Sequence, residues 1–138
     1  MAGTGLRLYL AESAADSVTT EIQTSGYRYD RSWGDAFLER TISLIENHHN
    51  THNGRVQCMV AAHAPDNCSS WMLEKLRDIA AQRGLRRTVH LSQSVQEVEQ
   101  VKSMTGGLTP TEYLRDHDWL GQDVLVAHCT YCNSSDIG

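Results

Sequence analysis

The chain has 138 residues, 40% hydrophobic and 21% charged, with a formal net charge of −5. That length holds at most one domain of ordinary size, the acidic balance leaves no basic footprint for nucleic acid, and no apolar run nears the roughly 20 residues of a membrane span. The opening "MAGTGLRLYLAES" lacks the basic start and long apolar core of a secretory signal, so a cytoplasmic protein is expected.

In chain order, "LRLYLA" (6–11) reads as a strand. A polar, aromatic stretch follows at 12–33 and reads as a long loop, a length that in an α/β unit often marks a functional lid. Helical spacing over 34–50 puts Leu38, Ile42 and Ile45 on one stripe beside Phe37. "RVQCMVAA" (55–62) is the second strand. A helix over 69–84 follows, capped by Ser69 or Ser70, lined by Leu73, Leu76, Ile79 and Ala80, and closed by Gly84. "RTVHLS" (87–92) is the third strand, and "SVQEVEQVKSM" (94–104) is a helix with Val95, Val98 and Val101 three apart. Residues 109–117 start a further helix, with Thr109 as cap, Pro110 in the first turn and Glu112 three residues after the cap. "DVLVAHC" (123–129) is the fourth strand, and "NSSDIG" begins another helix.

Strands rich in Val and Leu without clean alternation, separated by helices, predict a parallel sheet with right-handed crossovers. No tandem repeat interrupts the order. No glycine-rich phosphate loop follows a strand, which argues against a small doubly wound α/β enzyme. The four cysteines do not reach disulfide-scaffold density. "CTYC" (129–132) has the spacing of redox and zinc sites, but no second pair accompanies it, so the cysteines read as unpaired thiols.

Chemistry in parallel α/β folds sits at the carboxyl ends of strands. Each of the last three strands delivers a histidine there: His63, His90 and His128. Neighbouring strands lie about 4.8 Å apart, so imidazoles at adjacent ends such as His90 and His128 can reach one ion. An ion held there lowers the pKa of its water and supplies hydroxide near neutral pH. The run "HHNTH" (His48, His49, His52) looks metal-like but falls at a helix C-terminus, where such side chains suit the dipole, and His117 reads the same way.

The ordered run "HAPDNCS", "HLSQS", "AHC" resembles the middle of the metal-dependent amidohydrolase superfamily, in the branch of guanine and cytosine deaminases, adenosylhomocysteine deaminases and triazine hydrolases. The resemblance covers the chain from about residue 5 onward. It implies an α/β fold, a partial (β/α)8 TIM barrel of about four parallel strands corresponding to family strands three to six. It implies His90 and His128 as metal ligands and His63 as a substrate contact. Gln93 stands where many members carry a proton-shuttling glutamate, and glutamine cannot exchange that proton. The aromatic stretch (Tyr27, Tyr29, Trp33, with Arg28 and Arg31) is expected to stack on a planar ring or hold an anionic group.

The implied activity is hydrolysis of a C–N or C–Cl bond on a heterocycle or amide small molecule through a metal-activated hydroxide. Zinc is the default ion, and iron uses the same ligands. The family's histidine-x-histidine pair and its later aspartate are absent, and four strands are half of a barrel. Residues 1–138 are therefore expected to be one barrel domain truncated at both ends, inactive alone unless a homo-oligomer or completing chain supplies the rest. The alternative is a non-catalytic α/β binding module that dimerises through open sheet edges.

Overall fold

The structure, a computed structural model, describes residues 5–137. Its strands are β1 (Leu8–Leu10), β2 (Ser13–Ala14), β3 (Val56–Cys58), β4 (Val60–Ala62), β5 (Arg87–Leu91) and β6 (Val124–His128). The helices are α1 (Ile22–Ser25), α2 (Arg31–His48), α3 (Thr51–Gly54), α4 (Ser70–Arg83), α5 (Val95–Thr105), α6 (Pro110–Asp116) and α7 (Ser134–Ile137).

All strand pairs are parallel, as the alternation with helices requires. β1 pairs with β3, and β2, β4, β5 and β6 follow one another in a second ladder. Leu10 opposite Cys58 and Ser13 opposite Ala61 keep one register, so β1–β2 and β3–β4 are two strands, each interrupted once. Met59, at one interruption, still donates its N–H to the Leu10 carbonyl at 2.8 Å. Four strands are thus present, as expected, in an open sheet; among the described residues they close no barrel.

Burial falls off across the sheet. β4 is buried throughout, β5 alternates, and β6 exposes Leu125 at 62%. The expectation of strands buried on both faces therefore fails at β6, which lies at the sheet edge.

Helix α4 follows the sequence closely. Ser69 accepts the Met72 N–H, Gly84 closes the helix in the left-handed region at φ 62°, and Leu73, Leu76, Ile79 and Ala80 are all buried. Thr109 and Glu112 form a complete capping box on α6, and Trp119 beyond it is buried with its indole N–H on the Leu73 carbonyl at 2.8 Å.

Two expectations need correction. Helix α2 begins at Arg31, with Asp30 accepting the Trp33 N–H at 3.0 Å, so the loop expected over 12–33 is shorter and contains β2 and α1. Gly34 lies inside α2. A Cβ there would sit 2.7 Å from the Trp71 ring and 2.9 Å from the Asp16 Cβ, so glycine marks close helix packing instead of a helix start. On α5 the valine stripe is only partly inward: Val101 is buried, Val95 is 51% exposed, and Glu97 is buried.

Candidate active site

The carboxyl ends of β4, β5 and β6 are joined by backbone bonds. The His63 N–H reaches the Ala14 carbonyl at 2.8 Å, the His90 N–H reaches the His63 carbonyl at 3.2 Å, and the Cys129 N–H reaches the Leu91 carbonyl at 2.8 Å. On this scaffold the three imidazoles expected from sequence come together. The His63 and His90 centroids are 5.6 Å apart and those of His90 and His128 are 5.1 Å apart. Ser13, which opens the two-residue β2, contacts His63 Nδ1 at 2.9 Å.

His90 lies between the other two. Burial first, then the neighbouring His63 and His128, lower its pKa from the usual 6.5, which favours the neutral imidazole a metal requires. Its Nδ1 is buried and has no hydrogen-bond partner in the chain. An orphaned ring nitrogen beside two imidazoles fits a missing ligand. The donor set is nonetheless short. A catalytic zinc takes about three protein ligands, and among the described residues no group of three or more His, Cys, Asp or Glu is placed to hold an ion.

Residues that leave the strands do so in strained backbone. Ser92 (φ 48°), His128 (φ 75°) and Cys129 (φ 54°) occupy the left-handed region without being glycine. Such positions cost on the order of 1–3 kcal/mol each and cluster where geometry serves a site.

Gln93 lies in the loop after β5, half-buried. Its N–H donates to Glu97 Oε2 at 2.8 Å, and the Ser92 N–H donates to Glu97 Oε1 at 2.7 Å. Burial outweighs these two bonds and raises the Glu97 carboxyl to about 7. Glu97 therefore fixes the loop that carries Gln93, a task sequence reading did not assign to it. The signal was present: Ser94 and Glu97 have capping-box spacing, and Ser94 Oγ accepts the Glu97 N–H at 3.1 Å.

The aromatic stretch has partners within the protein. Tyr27 donates its hydroxyl to the Asp66 carboxylate, and Tyr29 donates to the Asp66 carbonyl at 2.7 Å. Asp66 is buried, with Asn67 Nδ2 on its other oxygen at 2.8 Å. Arg28 pairs with Glu21 and Asp30, and Arg31 stacks 3.9 Å over Trp71. The tyrosines tie the segment to the loop after β4 and Arg31 ties it to α4, which leaves the tyrosine hydroxyls engaged within the protein.

The decoy histidines stay at helix ends. His48 ends α2, His49 Nδ1 accepts the Cys58 N–H at 3.1 Å, and His117 closes α6 with Nδ1 at 2.8 Å from the Tyr113 carbonyl. No helix among the described residues is long and apolar enough to cross a membrane.

Parallel strand–helix units with histidines gathered on the carboxyl rim have the layout of one part of a (β/α)8 barrel, the rim on which such folds build their sites. More particularly, the chain belongs to the amidohydrolase family, whose model matches residues 4–137. It is 36% identical over 100 residues to a 5'-deoxyadenosine deaminase of Methanosphaera stadtmanae, covering 72% of this chain and 23% of that protein. It is 32% identical over 130 residues to a 5-methylthioadenosine/S-adenosylhomocysteine deaminase of Dictyoglomus turgidum, covering 88% and 30%. The chain thus spans between 23% and 30% of the length of these curated relatives.

Solved structures share the fold. A guanine deaminase of C. acetobutylicum with guanine bound superposes with a TM-score of 0.80 at 19% identity, covering 99% of this chain and 31% of that one. An adenosine deaminase of Xanthomonas campestris with bound zinc gives 0.76 at 18% identity, covering 98% and 28%.

Proposed function

We propose that this chain is the central part of a metal-dependent hydrolase that cleaves C–N bonds on a nitrogen heterocycle, deaminase-like, with the bases of adenine nucleosides or guanine as the substrate class. The His63–His90–His128 cluster carries this reading. His90 and His128 would hold a divalent ion, zinc before iron, and His63 would contact the substrate. A bound ion of this kind lowers the pKa of water and supplies hydroxide near neutral pH. The relatives named deaminases support the substrate class, and the zinc bound in the Xanthomonas campestris enzyme supports the metal.

Gln93 occupies the rim position next in the loop. Its amide can donate to and accept from a substrate but cannot carry a proton between two sites. Two imidazoles leave the ligand set incomplete, so the 138 residues are inactive alone in this reading and need ligands from outside them, on a longer chain or a completing partner. The alternative of a non-catalytic module dimerising through sheet edges is not favoured, because the family match runs through nearly the whole chain.

The test is a chimera in which residues 5–137 replace the matching segment of the Dictyoglomus turgidum deaminase, assayed for ammonia release from adenine nucleosides. Zinc retained in the chimera, slow turnover, and a gain of about 10²-fold or more in Gln93→Glu would support the reading. A zinc-loaded chimera whose activity is unchanged by His90→Ala would sink it.

A further inference from the structure

Cys129 and Cys132 bracket the turn after β6, and nothing in the proposed hydrolase chemistry uses them. Residues 130–131 make the turn, and the Cys132 N–H closes it on the Cys129 carbonyl at 3.5 Å. A four-residue turn keeps its end Cα atoms within about 7 Å, which overlaps the roughly 4.4–6.8 Å that a disulfide spans. The turn is also docked on its neighbour strand, with the Tyr131 N–H on the Ser92 carbonyl at 2.9 Å. The fold therefore holds the backbone of the two cysteines within disulfide range before any bond forms.

Exposure separates this pair from the other cysteines. Cys58 and Cys68 are buried, with their thiols 3.7 Å from the Leu44 carbonyl and 3.4 Å from the Ala14 carbonyl. Cys129 is exposed, and Cys132 is half-buried with its sulfur 3.9 Å from the Thr111 hydroxyl. An outside reagent meets Cys129 first, and Cys132 follows across the turn in the place of a resolving thiol.

We propose that Cys129 and Cys132 are a redox-active dithiol that closes reversibly to a disulfide by exchange with a low-molecular-weight disulfide such as oxidised glutathione. The Cys129 thiolate attacks one sulfur of the outside disulfide, a mixed disulfide forms, and one small thiolate leaves. The Cys132 thiolate then attacks the Cys129 sulfur, and the second small thiolate leaves. Two protein thiols are oxidised, the outside disulfide is reduced to two thiols, and the two cysteine protons end on those leaving groups.

To test this, the reduced 138-residue chain is equilibrated at graded ratios of reduced to oxidised glutathione. Free thiols are then alkylated and the peptides mapped by mass spectrometry. The expected product is a peptide linking Cys129 to Cys132, with Cys58 and Cys68 reduced and dithiothreitol restoring both thiols. In Cys132→Ser the exchange should stop at a glutathione adduct on Cys129. A stable adduct on Cys129 in the unsubstituted chain, two thiols that stay alkylatable in excess oxidised glutathione, or a disulfide joining two chains would each overturn the proposal.

Discussion

The His90 and His128 rings lie 5.1 Å apart although the sheet register should part them. His90 pairs with Ala127 and His128 with Leu91, an offset of one residue. In regular strands that offset sends the two side chains to opposite faces. His128 leaves the strand in the left-handed region at φ 75°, and this turn in the backbone re-aims its ring toward His90.

That proximity has a spectroscopic consequence. His90 has its pKa lowered from 6.5 by burial and by both neighbouring rings. A depressed histidine contributes stability that is present above the unfolded value of 6.5 and lost as pH falls through its folded value. Followed by NMR, the His90 ring should titrate below 6.5, and its midpoint should move up in His63→Ala and in His128→Ala. A midpoint indifferent to both substitutions would remove the electrostatic part of the cluster.

Glu97 gives the opposite sign. Its carboxyl is raised from 4.5 to about 7, so the folded chain holds the extra proton between those values. The associated stability is complete below pH 4.5 and is lost as pH rises through about 7. Urea unfolding across that window should show a decline in wild type that Glu97→Gln flattens. Glu97→Ala should cost about 2–4 kcal/mol, since it strands the N–H groups of Ser92 and Gln93.

Gly34→Ala should destabilise by about 1–3 kcal/mol through overpacking, because its Cβ would meet the Trp71 ring at 2.7 Å and the Asp16 Cβ at 2.9 Å. Pairing it with Trp71→Leu, which frees that space, should recover part of the loss in the same thermal or urea measurement. Equal stability of Gly34→Ala and wild type would mean that the α2–α4 contact is looser than its geometry.

The sequence made the sheet legible because Val- and Leu-rich runs between capped helices have few other readings. Thr109, Ser69 and Gly84 stated helix ends in local terms and were read correctly. Gly34 misled, since its role depends on Trp71, a partner distant in sequence, and the bonds of Tyr27 and Tyr29 to Asp66 are illegible for the same reason. The three histidines could be found because one strand-end position recurs on three strands. Glu97 escaped in part: its spacing from Ser94 marks a helix start, but its burial and its hold on the Ser92 and Gln93 N–H groups leave no mark in the sequence.

Zinc titration of the 138-residue chain by calorimetry reads the histidine cluster itself, comparing wild type with His90→Ala/His128→Ala and with His48→Ala/His52→Ala. Affinity should be at least about tenfold weaker in the first double variant, a loss near 1.4 kcal/mol, and unchanged in the second. Equal affinity in wild type and His90→Ala/His128→Ala, or a loss confined to His48→Ala/His52→Ala, would contradict a metal site at His90 and His128.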